Sequence, residues 1–203
     1  MEEIVKKLIK EAFKTGYTYS DYRVLVDQLV LENKSTGVAQ TEALSNYSLL
    51  NHKRMKRLDK TTKLSEEVLE KLQSLDRKVI WVVLTESWCG DAAQTLPIIN
   101  KIAEASNNIT LKVVLRDENS ELMDNFLTRG SRSIPKLIMV DEAIKEVIDC
   151  WGPRPSIATN MVKTYKEKHG TLTAEFKQDL QIWYNKDKGE NTIADLLELL
   201  SLK

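Results

Sequence analysis

The apolar residues of this chain recur at two different periods along the sequence. From residue 2 to about residue 58 they are spaced three and four positions apart, which predicts three amphipathic helices. The first ends at Gly16, and the second begins at Ser20 or Asp21, either of which is a good N-cap. A further helix begins at Ser65, and the almost unbroken apolar run 79–84 that follows is typical of a strand buried on both faces.

Three later segments also have the character of strands, at 109–115, 136–140 and 146–151. A helical pattern separates 79–84 from 109–115, so these two strands should be parallel and joined by a crossover helix. Only a short turn precedes 146–151, which implies an antiparallel pair with the strand before it. The predicted order across the sheet is 109–115, 79–84, 136–140, 146–151, and three more helical patterns follow up to about residue 200.

A cysteine occupies the turn between the first strand and the next helix, in the sequence Trp88-Cys89-Gly90-Asp91. A helix N-terminus presents free N–H groups and a partial positive charge, which favour a thiolate over a thiol. Cys89 is therefore a candidate nucleophile. The alternative is an inert cysteine that fills a small apolar space.

Two motifs, the Trp88-Cys89-Gly90 turn and a segment downstream of it, resemble those of the thioredoxin superfamily. Trp88-Cys89-Gly90 matches the start of its Trp-Cys-Gly-Pro-Cys motif, and Pro97 has the spacing of its helix-kinking proline. Downstream, Ile134-Pro135 resembles the segment whose peptide bond is cis in that family and lies beside the active-site cysteine. The resemblance covers about 65–169.

The resemblance implies an α/β fold, a thioredoxin-like three-layer sandwich with a mixed sheet of about four strands. We expect a single domain over 1–203, with a core at 65–169 and helical extensions at 1–64 and 170–203. Nothing in the N-terminal extension alternates as a strand should, so we expect the family's first strand to be missing or replaced by helices.

The departures from the family motif bear on activity. The position of the second, resolving cysteine is Ala92, so a self-contained dithiol cycle is excluded. Asp91 replaces the proline between the cysteines, and Val83 stands where the family has a buried acid. Two functions are open. One is a monothiol thiol-disulfide oxidoreductase using Cys89 with an external resolving thiol, and the other is a catalytically silent module that binds an extended segment of a partner protein.

The expected site follows from these motifs. Cys89 is the candidate catalytic residue, and the candidate binding groove comprises Trp88, Gly90, Asp91, Ile134 and Pro135. A lesser role is open for Arg132, which could pair with Asp91 or hold a substrate carboxylate, and for Cys150, for which a disulfide with Cys89 is conceivable. A third and weaker candidate function is binding of a small thiol or metabolite at the N-terminus of the Cys89 helix.

The ionisation of Cys89 depends on opposing effects. The helix N–H groups lower its pKa, whereas Asp91 and burial raise it. Since Asp91 could turn toward solvent, we expect an accessible Cys89 with a modestly lowered pKa that alkylates faster than Cys150. The Asp91→Asn substitution should lower that pKa further.

Composition bears on the expected partners, cofactors, metals and compartment. Lys+Arg and Asp+Glu are equal at 30 each, which gives no electrostatic argument for nucleic acid or membrane as a partner. The expected partner is a protein or a small-molecule thiol or disulfide, with no cofactor and with the oligomeric state open. His52 and His169 have no neighbours at metal-ligand spacing, so no metal is expected. Two cysteines and no signal-like apolar block favour the reducing cytoplasm.

Overall fold

The structure is a computed structural model that describes residues 3–143 and 145–202. These residues form nine helices and four strands. The elements in chain order are α1 Glu3–Thr15, α2 Tyr19–Leu31, α3 Glu42–Thr61, α4 Glu66–Gln73, β1 Val79–Thr85, α5 Gly90–Glu104, β2 Ile109–Leu115, α6 Ser120–Asp124, β3 Lys136–Asp141, β4 Val147–Trp151, α7 Ser156–His169, α8 Ala174–Asp187 and α9 Glu190–Leu199.

The four strands form one mixed sheet in the order β2-β1-β3-β4. Strands β1 and β2 are parallel, while β3 is antiparallel to both β1 and β4. The predicted strand order and both predicted orientations are therefore confirmed. Tyr17, in the linker between α1 and α2, forms a single antiparallel bridge to Val113 of β2. The linker thus lies at the outer side of β2, where a further edge strand would lie.

Helices cover both faces of the sheet because the strand side chains alternate between two hydrophobic clusters. Trp81 and Val83 on one face pack in a cluster that includes residues of α2, α3, α5 and α9. Ile80 and Val82 on the other face pack with residues of α1 and α6. Since β1 is buried along its whole length, its continuous apolar sequence is explained.

Side-chain caps fix several helix starts. Thr41 and Ser65 accept hydrogen bonds from the backbone N–H three residues on and cap α3 and α4. The start predicted for α2 was wrong by a few residues. Thr18 is its N-cap and accepts from the Asp21 N–H at 3.1 Å, so neither Ser20 nor Asp21 caps the helix.

The helices at the two ends of the chain take part in the main core. Tyr22 of α2, Met55 of α3 and Leu196 of α9 belong to the same buried cluster as Trp81. A separate small cluster joins α7 to α8, with Phe176 at its centre. The boundaries at 65 and 169 stay a prediction. No described helix is both long and apolar enough to cross a membrane.

Candidate functional site

The two sequence motifs meet at Cys89. This residue follows β1 and is the N-cap of α5, where its Sγ accepts a hydrogen bond from the Ala92 N–H at 3.4 Å. The thiol donates a second hydrogen bond to the carbonyl oxygen of Ile134 at 3.3 Å. The Ile134–Pro135 peptide bond is cis. The fold thus places the Ile134–Pro135 segment directly beside the cysteine.

The surroundings of Cys89 favour its neutral thiol. The residue is only 8% exposed, and this burial raises the pKa of the thiol to about 12, with the nearby Asp91 carboxylate acting in the same direction. The Ala92 and Asp91 N–H groups and the Arg154 guanidinium oppose the shift but are weaker. The expected accessible cysteine with a lowered pKa was therefore wrong, because burial outweighs the helix N-terminus.

Asp91 turns inward, not toward solvent. One carboxylate oxygen lies 2.7 Å from Nη2 of Arg154, and the other accepts a hydrogen bond from the Tyr184 hydroxyl at 3.0 Å. Burial raises the pKa of Asp91, and these two partners oppose that shift by stabilising the carboxylate. The pairing of Asp91 with Arg132 that was considered from the sequence is therefore wrong, since Asp91 pairs with Arg154. Arg132 instead forms a bidentate pair with Asp124, in which both side chains are about half exposed.

The backbone beside Pro135 is covered by the chain itself. Ile134 and Pro135 are both buried, and the Ile134 carbonyl is already an acceptor for Cys89. Gly152 packs against Pro135 with φ +110°, where a Cβ would lie 2.1 Å from the Pro135 carbonyl oxygen. Only a glycine fits there. The open part of the expected groove is therefore the side formed by Trp88, which is half-buried.

The two cysteines are both free thiols, so the conceivable Cys89–Cys150 disulfide is absent. Cys150 lies on β4 and is half-buried. Burial raises the pKa of its thiol to about 11, and the amine of Lys136 on the neighbouring strand opposes that shift. Cys150 is thus the more exposed of the two thiols.

Helix α3 holds the turn that carries the motif, a role that the sequence did not reveal. The Ser87 hydroxyl is 2.6 Å from that of Ser48, and the Asn51 amide donates to the Ser87 carbonyl oxygen at 2.9 Å. Thr36 adds a hydrogen bond from its backbone N–H to the Ser87 hydroxyl at 3.0 Å. All of these groups are buried, so the position of Trp88 and Cys89 depends on α3.

A buried acid lies close to the cysteine, although not where the family places one. Glu86 is 1% exposed, and its carboxylate accepts a hydrogen bond from the Asp117 N–H at 2.9 Å. Burial raises its pKa. In this chain Val83 occupies the family's position for such an acid, so no role was predicted for Glu86. The available signal was one acidic residue in an otherwise uncharged segment from 79 to 90.

A cavity of about 510 Å³ opens beside the turn, and we call it the Trp88 cavity. It lies between α3, the motif and α8. Its charged lining residues are Arg54, Asp91, Arg154 and Lys177, and its other lining residues are Leu44, Tyr47, Trp88, Gly90, Leu172, Gln178, Leu180 and Gln181. Cationic side chains thus outnumber the one carboxylate. Within the described residues no group of three or more His, Cys, Asp or Glu side chains is placed to bind a metal ion.

Comparison with known proteins places this geometry in a family. The model of the family described as Thioredoxin matches residues 37–167. A crystal structure of PA1234, a protein of unknown function from Pseudomonas aeruginosa, superposes with a TM-score of 0.65 at 18% identity, covering 95% of this chain and 96% of that one. An HIV epitope-scaffold structure superposes with a TM-score of 0.63 at 17% identity, with the same two coverages. At these identities the two structures show the fold alone, and no curated protein matches the chain. Since the family model spans well over half of the sequence, this chain belongs to the thioredoxin family.

Proposed function

We propose that this protein is a catalytically silent binding module of thioredoxin fold that takes its ligand in the Trp88 cavity. The observation that carries the proposal is the state of Cys89, a buried thiol with a raised pKa that donates a hydrogen bond to the Ile134 carbonyl oxygen. With a pKa of about 12, roughly one molecule in 10⁵ would carry the thiolate at pH 7. Since the thiolate is the attacking species, thiol–disulfide exchange at Cys89 should be very slow.

The shape of the site supports a binding role. The backbone edge at Pro135 is covered, whereas the cavity beside Trp88 has a volume typical of small-molecule sites. An extended partner segment that needs strand-like pairing with Ile134 finds its carbonyl already accepting a hydrogen bond. We therefore favour a ligand that enters the cavity over one that lies along the Ile134–Pro135 backbone.

A monothiol oxidoreductase is the second candidate function. The Ala92 N–H on Sγ and the nearby Arg154 both favour the thiolate, although burial outweighs them. In that mechanism Cys89 attacks a disulfide, releases one thiolate, and leaves a mixed disulfide that an external thiol resolves. The partner would then be a protein or small-molecule thiol or disulfide. Both candidates suit the reducing cytoplasm, since both cysteines are free.

Disulfide turnover distinguishes the two candidates. We would measure reduction of insulin and of bis(2-hydroxyethyl) disulfide, driven by thioredoxin reductase or by glutathione with its reductase. The parent protein, Cys89→Ser and Cys150→Ser should all give the same low background rate. A rate well above that of Cys89→Ser but equal to that of Cys150→Ser would refute the silent module and establish the monothiol enzyme.

A further inference from the structure

We propose that the Trp88 cavity binds a small organic carboxylate with an apolar body, and that Arg54 receives the carboxylate. This inference rests on the proposed function, because it names the class of ligand for the same cavity. It is carried by a half-buried guanidinium that forms no salt bridge among the described residues, in a partly apolar cavity next to the motif.

Arg54 is half-buried yet makes no ion pair within residues 3–143 and 145–202. Its hydrogen bond there goes from Nη1 to the neutral Asn51 side chain at 3.1 Å. The guanidinium lies over the motif, since a Cβ added at Gly90 would be 3.7 Å from Nη1. Burial lowers the pKa of Arg54, and the attraction of the Asp91 carboxylate, whose salt bridge is with Arg154, opposes that shift only in part. A bound carboxylate would give Arg54 a salt bridge of its own.

The other charges of the cavity leave this position to an anion. Asp91, the one carboxylate in the lining, is engaged by Arg154 and Tyr184. Lys177 is exposed at α8 and adds a further positive charge at the rim. An entering anion therefore meets net positive charge, and Arg54 is the half-buried cation of the lining that forms no salt bridge among the described residues.

The remaining walls suit an apolar body. Tyr47 and Trp88 present aromatic rings, and three leucines add apolar surface, one from α3, one from α8 and one from the segment before α8. The Trp88 ring also makes a cation–π contact with Arg116, whose guanidinium carbon is 4.9 Å from the ring centroid. A cavity of about 510 Å³ accommodates a molecule the size of a phenyl-substituted short acid.

One unpaired guanidinium favours a monocarboxylate over a phosphate. A planar carboxylate can accept two parallel hydrogen bonds from one guanidinium fork. A doubly charged phosphate would need a second converging cation, but the charge of Arg154 is already paired with Asp91 through Nη2, and Lys177 is exposed. The apolar walls also disfavour an anion that has no apolar part.

The test is a binding titration of the full chain with 3-phenylpropionate, followed by NMR at the Trp88 indole and the Arg54 side chain. 3-Phenylpropan-1-ol and inorganic phosphate are the matched ligands that lack the carboxylate or the apolar body. We expect saturable shifts with the acid and about tenfold weaker binding of the alcohol, the size of effect given by hydrogen bonds to a charged group. Equal binding of acid and alcohol, or no saturable shift with the acid, would overturn the inference.

Variants locate the carboxylate. Arg54→Gln should weaken acid binding about tenfold and leave alcohol binding unchanged. Arg54→Lys, which keeps the charge but loses the fork, should fall between the two. Lys53→Gln removes the same charge from an exposed neighbour on α3 and should bind the acid as the parent does. If Arg54→Gln, folded by circular dichroism, binds the acid as tightly as Lys53→Gln does, the assignment of Arg54 is wrong.

A free acid and a chain terminus carry the same chemistry, so a second arm compares an acetylated peptide that ends in Phe with its C-terminal amide. Binding of 3-phenylpropionate supports a free small molecule. Binding of the peptide acid but not of 3-phenylpropionate or the peptide amide would overturn the small-molecule source and assign the carboxylate to a chain terminus.

Disulfide turnover measured with saturating acid separates the two proposals. Turnover that depends on Cys89 defeats the silent module but leaves the carboxylate site, whereas no binding and no turnover defeats the carboxylate site alone.

Discussion

At the scale of single residues, Cys89 couples folding to pH. Its pKa rises from 9.0 to about 12 on folding, so the folded protein retains a proton that the unfolded chain loses above pH 9. Its contribution to stability is complete below pH 9 and is lost as the pH rises toward 12. The difference in unfolding free energy between the parent and Cys89→Ala should shrink by about 1 kcal/mol between pH 8 and pH 10.

Urea unfolding at several pH values measures this change. Val114→Ala, at a buried position that does not titrate, is the control and should show a difference from the parent that does not vary with pH. A difference for Cys89→Ala that is equally constant between pH 8 and pH 10 would show that the thiol pKa is not raised by folding.

Asp91 and Asp124 each pair with an arginine, but the cost of breaking the pairs should differ. Asp91→Asn leaves Arg154 largely buried without its counter-charge, which should destabilise the protein by about 3 kcal/mol. Asp124→Asn breaks a pair whose partners are about half exposed, and its effect on unfolding should be small. Asp91→Asn should also lower the pKa of Cys89, because it removes a negative charge that raises this pKa. Equal stability losses in the two variants, measured by urea unfolding, would contradict this account.

At the scale of elements, α9 caps α7. Pro155 precedes α7 and provides no side-chain cap, but Asp195 of α9 accepts from the Ser156 N–H at 2.7 Å and from the Ser156 hydroxyl at 2.7 Å. It also accepts from the Trp151 indole N–H at 3.1 Å. Asp195→Ala should cost about 2 kcal/mol, since it removes a cap and leaves the indole donor unpaired. Glu198→Ala, an exposed change on the same helix, should cost little by the same urea titration.

The spacing of apolar residues made most helices and strands predictable from the sequence. It did not predict the hydrogen bonds and ion pairs between side chains that are distant in the sequence. The buried β1 run and the Ser65 cap were visible because both are local patterns. The Asp91–Arg154 pair was not visible, since it joins residues that only the tertiary fold brings together. The burial of Cys89 was missed for a different reason. The family resemblance places the Ile134–Pro135 segment beside the cysteine, but the expected accessibility rested on the helix N-terminus alone, whereas the thiol is hydrogen-bonded to the Ile134 carbonyl and only 8% exposed.

At the scale of the whole molecule, the terminal helices should be integral to stability. Leu196 of α9 is fully buried in the cluster that contains Trp81, far away in the sequence. Leu196→Ala should therefore cost about 3 kcal/mol and lower the midpoint of one cooperative unfolding transition. Ile182→Ala, at a 43% exposed site on α8, is the control and should cost much less. A separate early transition in Leu196→Ala, with an unchanged main midpoint, would show that α9 unfolds independently.

The central claim is that Cys89 is a buried, protonated thiol in the native protein. The most direct test is iodoacetamide modification of both cysteines at pH 8, followed by peptide mass spectrometry with and without denaturing urea. In the native protein Cys150 should react first, and Cys89 should react only as fast as the chain unfolds, because it is 8% exposed and its pKa is about 12. In urea the two should react at similar rates. Native modification of Cys89 as fast as that of Cys150 would contradict the account and favour the monothiol enzyme.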